Sequence, residues 1–213
     1  MVHSLVEAFL HSVPDALPPE FLERIEKLAR NIALWGSKMN LTAHPEDPEE
    51  LAFHVIDSVM PVVLARHESS VLRGKFAGGR KILDLGSGAG FPGLVLAAAS
   101  SGDFTLVESR RKRASFLQVA VADMGLRNVT IEARRAEEIS LVGQYDLVTA
   151  RAFGDAADFF ALATRALKPG GLAMLYANPS QRFSPDVARI PYDVARRGEK
   201  IDRILAIWRR IVD

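Results

Sequence analysis

Residues 84–93 read Asp84-Leu-Gly-Ser-Gly-Ala-Gly-Phe-Pro-Gly93, four glycines behind one acid. Such a loop lets the backbone approach a ligand closely, and a helix starting after it aims its free N–H groups at whatever is bound. The run Gly88-x-Gly90-x-x-Gly93 satisfies the dinucleotide pattern, and Glu108 stands at the end of the next strand, where a ribose-binding acid belongs. That is the reading of a dehydrogenase. Asp84 argues against it, because a carboxylate facing a pyrophosphate at about 4 Å adds roughly 1–4 kcal/mol of repulsion, depending on the local dielectric. A cationic cofactor reverses the sign. S-adenosylmethionine carries a sulfonium and an ammonium and no phosphate, and Asp-x-Gly-x-Gly-x-Gly is the spacing methyltransferases use, so Asp84, Gly86, Gly88 and Gly90 are candidate cofactor residues, with Glu108 on the ribose hydroxyls.

Other candidates stand where further strands end. Ala136 and Glu137 follow a third apolar run and would lie beside the adenine ring, and Arg151 closes a fourth, facing the same crevice. A surface acid is the plain alternative for Glu137, and an ion pair with an acid of the loop is the plain alternative for Arg151. Asn178-Pro179 has the letters of the amino-methyltransferase signature. Ser180 and Gln181 follow it, however, and it comes after the fifth strand, so it reads as a turn. His54 and Asp57 offer two metal ligands at i, i+3 without a third, and no metal is expected.

The elements that must hold these residues are legible in the hydrophobic period. Phe21, Ile25, Leu28, Ile32 and Trp35 make an apolar stripe behind Pro18-Pro19, and Leu51, Val55, Val59 and Val62 make another from Pro48, with Pro61 as a possible kink. Two or three helices therefore precede Gly78-Gly79. Beyond it, runs at Lys81–Leu85, Phe104–Glu108, Val129–Glu132 and Tyr145–Ala150 alternate with helical stretches, and Lys168-Pro-Gly-Gly turns the chain into a fifth strand, Leu172–Tyr176. This alternation predicts an α/β fold with a parallel sheet covered on both faces. The tail from Asp193 reads as two strands turning near Gly198-Glu199, while Ile201, Leu205 and Trp208 fit a terminal helix almost as well.

Composition narrows the chemistry. The 213 residues contain no cysteine, which excludes disulfides, zinc ribbons and thiolate nucleophiles. No apolar run reaches the roughly 20 residues of a membrane span, and Glu7 sits where a signal peptide carries positive charge, so a cytoplasmic protein is expected. The net charge of +1 conceals an asymmetry: residues 1–50 hold 4 basic and 9 acidic side chains, leaving 23 against 17 in the remainder. The basic part suits a polyanion, although arginines solvating a helix surface explain such a modest excess as well.

The combination Trp35-x-x-x-x-Asn40-Leu-Thr-Ala, His54-x-x-Asp57-Ser58, Asp84-x-Gly-x-Gly-x-Gly-Phe-Pro-Gly, Glu108-Ser109 with Lys112-Arg113, Arg135-Ala-Glu-Glu and Thr149-Ala-Arg-Ala resembles the bacterial 16S rRNA guanine-N7 methyltransferases, the glucose-inhibited division protein B family. The resemblance covers roughly Leu34 to Gly171. It implies a doubly wound, Rossmann-like class I S-adenosylmethionine-dependent methyltransferase, with a helical segment over residues 1–78 packed on a catalytic domain over 79–213. It further implies that Gly86, Phe91, Ala136, Glu137 and Arg151 contact the cofactor. Lys112, Arg113, Arg135 and Arg151 would face RNA, and His54 and Asp57 would join the helices to the catalytic face. The expected substrate is a guanine in the decoding-region loop of 16S ribosomal RNA, free or in the small subunit, methylated by a cytoplasmic monomer with no membrane or metal partner. The chain departs from the family at Tyr176-Ala177-Asn178-Pro179, where a Lys-Gly pair is usual, which predicts one basic contact fewer near the substrate. A methyltransferase for a small molecule or protein, a non-catalytic cofactor-binding module and a dehydrogenase are the alternative readings. Guanine N7 has a lone pair and no proton to lose, so no catalytic base is expected; Phe91, Phe153 and Trp35 are the rings available to stack on a splayed base.

Overall fold

A computed structural model of the chain describes residues 1–11, 13, 17–138 and 142–211. Three helices come first: α1 (Val2–His11), α2 (Phe21–Met39) and α3 (Pro48–Leu64). Pro18-Pro19 stand just ahead of α2, and its stripe Phe21, Ile25, Leu28 and Ile32 is buried while Trp35 is half-buried. Asp47 caps α3, accepting from the backbone N–H groups of Glu49 and Glu50. Pro61 lies inside that helix.

The alternating half follows as β1 (Lys81–Leu85), α4 (Gly93–Ala99), β2 (Asp103–Val107), α5 (Arg111–Met124), β3 (Val129–Glu132), β4 (Tyr145–Arg151), α6 (Ala156–Ala166) and β5 (Leu167–Ala177), closed by β6 (Ala188–Arg196) and β7 (Glu199–Arg209). The sheet runs β3-β2-β1-β4-β5-β7-β6. Strands β1 to β5 pair in parallel, and β7 pairs antiparallel with both β5 and β6.

Successive residues of the central strands enter opposite cores, as the pleat requires. Ile82, Leu106, Leu147 and Met174 join the core that also contains buried residues of α1 to α5. Their neighbours Leu83, Val107, Val148 and Leu175 join a second core with Phe159 and Ala163 of α6. One continuous apolar cluster therefore includes both the first three helices and residues of the sheet.

Two elements differ from the sequence reading. β5 begins at Leu167 instead of Leu172: Tyr145 pairs with Leu167 and Leu147 with Leu172, so Lys168-Pro-Gly-Gly is an excursion within the strand, with Gly170 at φ +76°. At the tail, the strand alternative holds and the helix does not. Arg197 and Gly198, at φ +52° and +78°, form the tight turn that matches the twist of the hairpin, and Pro191 is tolerated because β6 is an edge strand.

Ile32 is fully buried in the first core. Ile32→Ala is expected to lower unfolding free energy by about 2–5 kcal/mol, the usual cost of truncating a buried aliphatic side chain, measured by urea titration.

Candidate active site

Strand order reverses between β1 and β4, and open α/β sheets bind ligands outside the carboxyl ends of the strands at such a point. The glycine loop leaves β1 there. Its turn is held by Gly86 N–H and Ser87 N–H, which donate to Val107 O at 2.9 and 3.0 Å, and by Gly90 N–H, which donates to Ser87 O at 2.7 Å. Gly86 has φ +74°, and a Cβ built on it would project into open space. Gly93 serves a different need: a Cβ there would lie 2.5 Å from Asp84 Oδ2, so only glycine lets α4 begin this close to β1.

Asp84, near the carboxyl end of β1, is fully buried against the start of α4. Its Oδ2 accepts from Gly93 N–H at 3.2 Å, while Oδ1 is buried with no hydrogen-bond partner. Burial pushes its pKa up to about 6, against the opposing pull of the nearby Ser87 hydroxyl, the Gly93 N–H and the Arg151 charge. Glu108 is also buried, its Oε2 accepting from Gly88 N–H at 3.0 Å and its Oε1 from Arg110 N–H at 2.8 Å. Each carboxylate oxygen retains a lone pair for a hydroxyl donor. Beyond β3, Ala136 is half-buried against the second core and Glu137 is exposed.

Arg151, at the end of β4, reaches α3. Its Nη1 donates to Asp57 Oδ2 at 3.2 Å and to His54 O at 3.4 Å, and its guanidinium lies 5.0 Å from the Phe91 ring centroid. The Phe91 ring in turn packs against His54 at 5.3 Å. Desolvation and the neighbouring Arg151 charge hold the His54 pKa down, to about 4, so this imidazole is neutral near pH 7.

Asp57 gathers more than Arg151. Tyr192 of β6 donates its O–H to Oδ1 at 2.7 Å, and Arg203 of β7 donates Nε–H to the same oxygen at 3.1 Å. Nearby, Tyr176 O–H donates to Ser58 O at 2.7 Å. Tyr192 and Arg203 were not candidates in the sequence. Neither carries a local pattern, and both reach Asp57 only through pairing of the terminal hairpin with β5.

The expected RNA-facing residues divide. Lys112 and Arg135 are exposed, whereas Arg113 is half-buried near Gly88 and donates to Asn40 O, tying α5 to the end of α2.

These groups fit S-adenosylmethionine. A buried carboxylate oxygen lacks a partner of the kind an ammonium supplies, Glu108 has capacity for ribose hydroxyls, and Gly86 leaves space a side chain would occupy. Comparison with known proteins agrees. A model of the family described as rRNA small subunit methyltransferase G matches residues 21–183. The protein named Ribosomal RNA small subunit methyltransferase G in Solibacter usitatus is 33% identical over 89% of this chain and 87% of its own, and that of Sorangium cellulosum is 36% identical over 80% and 68%. The chain belongs to this family. Its fold is that of the class I methyltransferases: a Thermotoga maritima S-adenosylmethionine-dependent O-methyltransferase superposes at TM-score 0.52, with 18% identity, over 74% of this chain and 65% of that one. An RNA methyltransferase from Salinibacter ruber, solved with S-adenosyl-L-homocysteine, gives 0.51 at 16% identity over 65% and 86%. Among the described residues no group of three His, Cys, Asp or Glu could hold a metal, and no helix is long and apolar enough to cross a membrane.

Asp57→Ala leaves two guanidinium groups and a phenol of this family member without their shared acceptor. Loss of one partner of a buried ion pair typically costs about 3–5 kcal/mol, and denaturant unfolding of the variant is expected to show a loss in that range.

Proposed function

We propose that the protein transfers the methyl group of S-adenosylmethionine to N7 of a guanine in the decoding-region loop of 16S ribosomal RNA, position 527 in the usual rRNA numbering. It acts as a cytoplasmic monomer on the folded RNA or the assembled small subunit. The family match over residues 21–183, which contains the glycine loop, Glu108 and Arg151, is the observation that carries this reading. Residues 1–78 are then a helical segment seated on a methyltransferase domain of residues 79–213.

The cofactor, when bound, supplies a methyl group on a sulfonium: the N7 lone pair forms the carbon–nitrogen bond while the carbon–sulfur electron pair returns to sulfur. No proton leaves, so no residue need act as base, consistent with a chain without cysteine. The protein's contribution is alignment, which can supply roughly 7–11 kcal/mol in well-oriented reactions. In this reading Gly86, Gly88 and Gly90 admit the cofactor, Glu108 holds the ribose, Ala136 and Glu137 flank the adenine, and Asp84 completes its hydrogen bonding with the ammonium. Phe91 and Arg151 wall the site toward the acceptor. Lys112 and Arg135, being exposed, engage phosphates; Arg113 and Arg151 act through the surfaces they brace.

Asp84 gives the reading a pH signature. Its pKa is about 6 in the folded protein against an ordinary 3.8, so between those values the native state keeps a proton that the unfolded chain releases. Its contribution to stability therefore declines as pH rises through that window and is level above it. A cationic ligand favours the ionised carboxylate. Cofactor affinity is expected to rise as pH passes about 6 and to flatten in Asp84→Asn, measured by calorimetry from about pH 5 to about pH 8.

The direct test is transfer of tritiated methyl to small subunits from cells lacking this methylation, with N7-methylguanine mapped by borohydride–aniline cleavage. One cleavage in the decoding-region loop is expected, with transfer lower by at least about 100-fold in Arg151→Ala, a loss of the size seen when a reactant is misplaced. Tight cofactor binding with no label in any ribosomal RNA would sink the reading. Lys112→Ala is expected to reduce the slope of log affinity against log salt by about 1, as removal of a single phosphate contact does.

A further inference from the structure

Between α3 and the carboxyl ends of β4 and β5 lies a cavity of about 390 Å³, lined by His54, Arg151, Phe153, Asn178, Gln181 and Arg203 among others. It adjoins the cofactor crevice through Arg151, whose strand partner is Tyr176, two residues before Asn178. This is the size of a small-molecule site, and it combines rings with a few polar side chains.

Asn178 is fixed within its wall from two directions. Gln181 N–H donates to Asn178 O at 3.0 Å, closing a turn at the end of β5. Arg203 Nη1 donates to Asn178 Oδ1 at 2.7 Å. A guanidinium has no acceptor, so it decides which way the amide faces: Oδ1 must point at Arg203, and the two Nδ2 hydrogens are left for something else. Arg203 is itself held by Asp57, through Nε–H at 3.1 Å and Nη2 at 3.4 Å.

We propose that this cavity is the acceptor pocket and that Asn178 is its specificity-determining residue, donating Nδ2–H to O6 of the guanine to be methylated. The inference rests on the rRNA guanine-N7 reading and names the residue that recognises the base. O6 and N7 share the major-groove edge of guanine. A donor holding O6 therefore fixes the position of N7 beside it, next to the crevice that holds the methyl donor. Adenine presents an amino group at the same place, so an amide whose donor side is fixed meets a second donor and rejects it. A neutral amide also suits the reaction better than a cation would: the ring becomes positively charged on methylation, and Asn178 adds no like charge beside it. The Arg203 charge behind it is opposed by Asp57. The turn residues Asn178-Pro179 thus recognise the base directly after Tyr176-Ala177, where the sequence departs from the family pattern.

Asn178→Asp is the sharpest test, because the carboxylate keeps an acceptor for Arg203 and replaces the donor with another acceptor. Asn178→Ala removes both. Each is compared with the unaltered protein for kcat and KM of methyl transfer to unmethylated small subunits bearing either guanine or adenine at the target position, and for cofactor affinity by calorimetry. In Asn178→Asp, guanine kcat/KM is expected to fall by at least about 10-fold and the guanine-over-adenine ratio by at least about 10-fold, the scale on which sites built for a hydrogen bond lose discrimination. Cofactor affinity stays within about 2-fold, since Asn178 lies outside the loop that holds it. Unchanged guanine kinetics and an unchanged ratio in both variants would overturn the role of Asn178 while leaving the methyltransferase reading intact. Cofactor binding by the unaltered protein without transfer to any small subunit would overturn both.

Discussion

The Asp57 carboxylate sits near the middle of α3 with almost none of its surface in water, and three donors from three different strands converge on it. A buried ion costs several kcal/mol unless its lone pairs are satisfied, and here Arg151, Arg203 and Tyr192 satisfy them. Because these donors belong to β4, β7 and β6, the interaction couples the helical segment to the far side of the sheet. It also places two guanidinium groups at the rim of one cavity. The direction of Arg151, its stacking on Phe91 and the orientation of the Asn178 amide all depend on where this one carboxylate is held.

Asp84 is the contrasting case. It is as deeply buried, yet it has one backbone N–H on one oxygen and nothing on the other, so desolvation is only partly offset and its proton is held more tightly than usual. A fully satisfied carboxylate makes a rigid strut, whereas a partly satisfied one stores an unfavourable interaction that a cationic ligand can relieve. In the proposed reading the two acids divide the work between them, one fixing the wall of the acceptor side and the other favouring the cofactor side. Only Gly93 allows Asp84 and the start of α4 to come this close.

Basic residues divide in a similar way. Arg110, Arg111, Lys112 and Arg135 are exposed just beyond the carboxyl ends of β2 and β3. Arg113, Arg151 and Arg203 are engaged with a carbonyl or with Asp57. The single charge of Asp57 offsets only one of the two guanidinium groups it holds, so Arg151 and Arg203 together attract RNA at long range less than two unpaired arginines would. The electrostatic face of the molecule is accordingly smaller than its count of arginines suggests.

The central strands, the helical stripes of α2 and α3 and the glycine loop were legible in sequence because each is written in neighbouring residues: alternation for a pleat, three- and four-residue steps for a helix, glycine where the backbone must take positive φ or approach closely. The family, and with it the cofactor, was legible for the same reason, since its motifs are short and contiguous. The choice between strand and helix in the tail was not local. Ile201, Leu205 and Trp208 suit either period, and what favours strands is the pairing of β7 with β5 on one side and β6 on the other. Nor could sequence say that Asp84 is buried against the start of α4, that Arg151 turns to Asp57, or that Arg203 comes within 2.7 Å of Asn178 across 25 positions. Those are contacts between elements remote along the chain. They exist because burying charged groups requires partners wherever the fold can bring them, and strand order alone determines which ones it brings.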